Sequence, residues 1–171
     1  MPQRRALFLD RDGTINVDKC YVYRAEDFEW VPGIVELCRA AVAAGYDIVI
    51  VTNQSGIERG YYTESDYAVF THFLREQFAE QGVPVLDILH CPYLEHPDRK
   101  PAPGLFLRAR ERWGIDMAAS LSLGDKPRDV EAGSRAGVGR NFLLAASAGA
   151  ECPAATAVVA NPRDMIPYLT E

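Results

Sequence analysis

An α/β fold, with a parallel sheet covered by helices on both faces, is what this 171-residue sequence predicts. Three observations carry that expectation: short apolar runs recur along the chain, they are continuous rather than alternating, and helical patterns separate them. A strand buried on both faces reads as a continuous apolar run, and strand–helix alternation gives βαβ units. The runs are Ala6–Leu9, Asp47–Val51, Val85–Leu89, Ser120–Leu123, Asn141–Leu144 and Thr156–Ala160. Between the first two, Gly33–Gly45 puts Ile34, Leu37, Cys38, Ala41 and Val42 on one helical face, with Gly45 as the stop. A second helix begins at Thr63, where Thr63 and Asp66 form a capping-box pattern. It continues through Tyr67, Phe70, Leu74 and Phe78 towards Gly82. Pro103 opens a third, carrying Leu105, Phe106, Ala109 and Trp113. Pro127–Ala136, ended by Gly137, is a fourth, and a fifth is expected over Asn161–Leu169. Ala145–Ala155 is rich in small residues and reads as a mobile surface loop. The whole is expected to be one Rossmann-like domain over residues 1–171, without repeats.

Composition narrows the function classes. Hydrophobic residues make up 48% of the chain, enough for a core, and Gly and Pro usage is ordinary. The formal charge of −6 disfavours non-specific binding to nucleic acid or to an anionic membrane surface. No segment reaches the roughly 20 apolar residues of a membrane span, and Ala6–Leu9 is too short for a signal peptide before Asp10 interrupts it. The four cysteines are scattered with no CxxC pair, so a reducing, cytoplasmic setting is expected.

In open α/β sheets ligands sit outside the carboxyl ends of the strands. Here those ends carry Asp10-Arg11-Asp12-Gly13-Thr14, Thr52-Asn53-Gln54-Ser55-Gly56, His90-Cys91 leading to Arg99-Lys100, and Gly124-Asp125-Lys126 with Asp129. Any one of these residues is ordinary: a lone Asp or Thr there is usually a cap or turn former, and a lone lysine a solvated charge. Their recurrence at successive strand ends is not. Asp10, Asp12 and Asp125 together would repel unless a cation shared them, and a hard divalent ion such as Mg²⁺ suits all-oxygen ligands. Lys100 and Thr52 add positive charge and a hydroxyl for phosphate oxygens. A carboxylate, an acid, a metal and a lysine together describe phosphoryl transfer through an aspartyl-phosphate.

The strings FLDRDGTIN (Phe8–Asn16), VTNQSGI (Val51–Ile57), RKPAPG (Arg99–Gly104) and GDKPRD (Gly124–Asp129) resemble the four motifs of the haloacid dehalogenase superfamily. More narrowly, they are similar to its D,D-heptose 1,7-bisphosphate and histidinol-phosphate phosphatase branch. The resemblance implies Asp10 as the nucleophile and Asp12 as the acid that becomes the base. It implies Thr52 and Lys100 on the phosphoryl oxygens, and Mg²⁺ on Asp10, Asp125 and the Asp12 backbone carbonyl. Asp18, Tyr21, Asn53, Gln54 and Ser55 match positions lining the sugar site. Asp129 is expected to orient Lys100 or Lys126 rather than touch the ligand.

Substrate choice turns on what surrounds those motifs. The stretches from Asp10 to Thr52 and from Thr52 to Lys100 hold only a flap (Gly13–Trp30), two helices and two strands, so no large cap domain is expected. Arg99 and Lys126, with Arg128, are surplus to one phosphate and suit a second anionic group, with solvated loop charges as the lesser alternative. The branch commonly carries a zinc loop before its RK motif. Here the Cys91–Arg99 loop is shorter, and His90, Cys91 and His96 offer at most three ligands, so zinc is not expected. Cys20 stands where the branch usually has Gly. The resemblance therefore implies a phosphatase of small sugar phosphates, expected as a monomer, with heptose 1,7-bisphosphate as the first substrate and its 7-phosphate as the group removed. Histidinol phosphate, with one phosphate, leaves Arg99 and Lys126 without an anion and ranks second. A DNA 3′-end phosphatase is disfavoured by the acidic charge, and a non-catalytic phosphoester-binding protein by the full motif set.

Overall fold

Each apolar run forms a strand in the computed structural model, which describes residues 3–146 and 151–171. The strands are β1 (Arg5–Leu9), β2 (Tyr46–Asn53), β3 (Val85–Cys91), β4 (Leu121–Gly124), β5 (Arg140–Leu144) and β6 (Ala157–Val159). They make one sheet in the order β3-β2-β1-β4-β5-β6, every pairing parallel. The helices are α1 (Ile34–Ala43), α2 (Glu64–Glu80), α3 (Gly104–Trp113) and α4 (Pro127–Arg135).

The continuous character of the runs has the expected cause. In β1, Leu7 and Leu9 enter a core shared with Ile34 and Leu37 of α1 and with Phe70 and Leu74 of α2. Ala6 and Phe8 face the other way, onto Leu105 and Phe106 of α3 and Ala132 of α4. All four β1 side chains are fully buried, so neither face tolerates a polar residue.

The second helix begins as its sequence requires: Thr63 Oγ1 accepts from the Asp66 N–H at 3.0 Å, and Asp66 Oδ2 accepts from the Thr63 N–H at 2.8 Å. The expected fifth helix needs correction. Pro162–Thr170 winds as a 3₁₀ helix rather than an α-helix. Pro167, inside the segment, lacks the N–H that a regular α ladder would use, so the segment tightens instead. The loop expected over Ala145–Ala155 lies partly outside the described residues.

Two features position the site. The strand order runs outward from β1 through β2 to β3 in one direction and from β4 to β6 in the other. The crevice of the reversal therefore opens between β1 and β4. The segment after β1 is a short flap, pinned by bridges Asp12–Asn16 and Asn16–Trp30 and containing a 3₁₀ turn at Ala25–Asp27. Between Asp10 and Lys100 the described chain forms that flap, α1, β2, α2 and β3, with no inserted cap domain. No helix among the described residues is long and apolar enough to cross a membrane.

Candidate active site

Asp10 leaves the end of β1, and its N–H donates to the Leu123 carbonyl of β4 at 3.1 Å. That bond carries the nucleophile candidate across the crevice towards Asp125. Carboxylate oxygens of Asp10, Asp125 and Asp129 all lie within 4.8 Å of one another. Lys100 sits among them with its side chain 1% exposed. Its ammonium donates to Asp10 Oδ1 at 2.8 Å and to the Val51 carbonyl at 2.8 Å, and lies 2.7 Å from Asp129 Oδ1. All three N–H bonds of Lys100 are thus committed to protein. Burial opposes the ammonium, but Asp10 and Asp129 outweigh it, so the Lys100 pKa rises and the residue stays charged.

Burial raises the Asp10 carboxyl well above the usual carboxylate range, and the charges of Asp129 and Asp125 push the same way against Lys100. Burial also raises Asp125. Asp125 Oδ1 is buried with no hydrogen-bond donor. An orphaned carboxylate oxygen beside a second raised carboxyl is a donor set that wants a hard cation. Gly13 has φ +89°, and a Cβ there would stand 2.2 Å from Asp125 Oδ2. The backbone after β1 thus makes room for that carboxylate, and the Asp10 and Asp125 carboxylates fit a divalent ion.

Asp12 is held by three side chains. Arg11 Nη2 (3.1 Å) and Asn16 Nδ2 (3.0 Å) donate to its Oδ1, and Gln54 Nε2 (2.9 Å) donates to its Oδ2. Gln54 also donates to Thr52 Oγ1 at 2.9 Å and accepts from the Tyr62 hydroxyl. Thr52 itself is 1% exposed. Asn53 clasps the Lys100 backbone, its Nδ2 donating to the Lys100 carbonyl (3.1 Å) and its Oδ1 accepting from the Lys100 N–H (3.0 Å). Asn53 and Gln54, expected at the sugar, are therefore also the braces of Lys100 and Asp12. Asp129 serves both lysines: Oδ1 meets the Lys100 side chain, while Oδ2 accepts from the Lys126 N–H at 3.0 Å and opens α4.

Above these groups lies a cavity of about 340 Å³. Asp10, Asp12, Lys100 and Asp125 form its floor; Asp18, Tyr21, Asn53, Gln54, Ser55, Arg99 and Lys126 also line it. Thr52 and Asp129 do not, being buried beneath. The cavity adds Cys20, Arg59, Tyr62 and Arg128 to its wall. Arg59 and Tyr62 were missed by sequence reasoning; their place in the loop that leaves β2 was the available signal. Cys20 and Tyr21 both have φ +59°, so the flap tip holds two consecutive side chains in the left-handed region. The Asp18 carboxylate steadies that tip by accepting from the Cys20 N–H at 3.0 Å, and Tyr21 packs edge-on against Tyr61 at 4.7 Å between centroids. In the loop before Lys100, His90 Nε2 lies 2.9 Å from Glu64, His96 Nδ1 accepts from the Asp98 N–H at 3.1 Å, and the Cys91 thiol points at the Tyr93 carbonyl.

Comparison with known proteins meets this geometry. Residues 3–137 match the model of the haloacid dehalogenase-like hydrolase family. A D-glycero-alpha-D-manno-heptose-1,7-bisphosphate 7-phosphatase of Burkholderia mallei is 45% identical, covering 98% of this chain and 95% of its own. A D-glycero-beta-D-manno-heptose-1,7-bisphosphate 7-phosphatase of Yersinia pestis is 40% identical over 81% of this chain and 79% of its own. Among solved structures, D,D-heptose 1,7-bisphosphate phosphatase from B. bronchiseptica, complexed with magnesium and phosphate, superposes with a TM-score of 0.85 at 26% identity. It covers 96% of this chain and 97% of the other. With its sheet order, its strand-end aspartates and its buried lysine accounted for, the chain belongs to the haloacid dehalogenase-like hydrolase family.

Proposed function

We propose that this phosphatase removes the 7-phosphate of D-glycero-D-manno-heptose 1,7-bisphosphate through an aspartyl-phosphate on Asp10. The observation that carries the substrate reading is the cationic wall. Arg59, Arg99, Lys126 and Arg128 line the cavity of a protein with a net charge of −6, in addition to the buried Lys100 on its floor. Four cations around a small polar cavity suit an ester with a second phosphate. The names of the close relatives support the same substrate.

In this reading Mg²⁺ is held by the Asp10 and Asp125 carboxylates and the Asp12 carbonyl, and when bound it neutralises charge on the phosphoryl oxygens. An Asp10 carboxylate oxygen forms the bond to phosphorus as the bond to the sugar oxygen breaks, and the Asp12 carboxyl gives its proton to the departing sugar oxygen. Asp12, now a carboxylate, takes a proton from the water that attacks phosphorus, which frees Asp10 and inorganic phosphate. Lys100 contributes through its charge, since its donors already hold Asp10 and Asp129 in place. Asp18, Tyr21 and Ser55 bound the sugar. This reading includes no zinc, since His90, Cys91 and His96 offer at most three ligands. The enzyme works as a single domain and a monomer, without nucleic acid or membrane, in the cytoplasm, where four free cysteines are at home.

The test is phosphate release from heptose 1,7-bisphosphate, heptose 7-phosphate and histidinol phosphate, with and without Mg²⁺. Arg99→Ala is expected to lower kcat/KM roughly tenfold to a hundredfold on the bisphosphate, the worth of a charged hydrogen bond, and little on the monophosphate. Normal turnover by Asp10→Asn would remove the aspartyl-phosphate; preference for histidinol phosphate would replace the substrate.

A further inference from the structure

Arg11, between the two catalytic aspartates, heads the largest fully buried side chains of the protein, with 1% exposure. Its Nη2 donates to Asp12 Oδ1 at 3.1 Å and to the flap carbonyl of Val22. Its guanidinium carbon lies 4.7 Å from the centre of the Phe70 ring on α2. Nε and Nη1 are buried with no partner. This is a costly arrangement: a buried guanidinium loses its hydration, and each unmet donor adds to the loss. An apolar side chain of similar size would pack against Phe70 without either penalty. What an apolar side chain does not supply is the bond to Asp12.

We infer that Arg11 is a positioning residue for the acid step, one that ties Asp12 to the flap and sets the orientation of its carboxyl group. Oδ1 receives two donors, Arg11 Nη2 and Asn16 Nδ2, one of them cationic. Oδ2 accepts from Gln54 alone, so the two bonds on Oδ1 fix how the carboxyl presents Oδ2 to the cavity. Because the same Arg11 nitrogen holds Val22, displacement of the flap and misdirection of the acid become one event. The inference rests on the reading of Asp12 as the acid.

The test uses leaving groups. A sugar alkoxide departs only with a proton, whereas p-nitrophenolate departs without one, so the acid step enters kcat/KM for the first ester and not for the second. Wild type, Arg11→Lys, Arg11→Met and Asp12→Asn are compared on heptose 1,7-bisphosphate and p-nitrophenyl phosphate with saturating Mg²⁺. The ratio of sugar-ester to aryl-ester kcat/KM is expected to fall about tenfold or more in both Arg11 variants, within the range a general acid contributes. Should Arg11→Met not fold, Phe70→Leu takes its place: loss of the ring face lowers the ratio in the same direction and by less. If the ratio holds in the Arg11 variants but falls in Asp12→Asn, Arg11 is merely structural and the inference is overturned. If it holds in Asp12→Asn as well, the acid assignment itself is what has failed.

Discussion

Gly13→Ala isolates the contact between the turn after β1 and the metal-ligand candidate Asp125. Two penalties enter. Alanine at φ +89° costs about 1–2 kcal/mol in backbone strain. In a domain of this size that lowers Tm by roughly 2–8 °C. The second penalty is local: the new Cβ would lie 2.2 Å from Asp125 Oδ2, whereas ordinary contact begins at 3.4 Å. The carboxylate has to retreat by more than an ångström. Disturbing a group that orients a metal ligand typically costs tenfold to a hundredfold in affinity, and that is the expected change in the Mg²⁺ Kd. Calorimetric Mg²⁺ titration reads this directly, without turnover. Gly82→Ala is the control, since Gly82 has φ +72° with nothing within 4 Å of its Cβ position. It should lose stability like Gly13→Ala yet bind Mg²⁺ as wild type does. A Gly13→Ala protein with lowered Tm and unaltered Mg²⁺ affinity would refute the reasoning.

Further expectations follow from the buried charges. Burial, Asp129 and Asp125 raise the Asp10 carboxyl, so a divalent ion binding there displaces a proton and binds more tightly as pH rises through the folded-state pKa. Binding enthalpies measured in two buffers of different ionisation enthalpy should differ; equality would contradict the site. Lys100→Met leaves Asp10 and Asp129 without their cation, at a cost of about 3–5 kcal/mol. Asp10 already binds its proton more tightly folded than unfolded, and loss of the opposing Lys100 charge strengthens this, so the variant should lose stability relative to wild type more steeply as pH rises, which urea melts at several pH values would reveal. Burial pushes the Cys38 thiol up to about 12, while Cys20 is exposed on the flap. Mass spectrometry of briefly alkylated protein should find Cys20 modified before Cys38; the reverse order would show that the flap or core is placed otherwise.

Much of the molecule was legible from single residue runs. The strands and four helices could be read because both faces of the sheet are covered, which forces continuous apolar segments such as Ala6–Leu9 between helical periods. Asp10, Thr52, Lys100 and Asp125 could be listed because ligands gather at strand ends. The last segment was misread as an α-helix, since its apolar spacing hid what Pro167 does to the hydrogen-bond ladder. Asn53 and Gln54 were assigned to the sugar alone, and nothing local says that they clasp Lys100 and Asp12.

By itself, then, the order of residues determined the elements, the covering of both sheet faces and the inventory of groups at the carboxyl edge, all of which depend on neighbours a few positions away. Only the tertiary structure decided that β1 pairs with β4, bringing Asp10 to Asp125 across 114 intervening positions, and that Arg11 turns inward beneath Phe70. Those outcomes depend on which long-range contacts win the competition for burial. A local pattern lists the candidates for that competition, and the packed core selects among them.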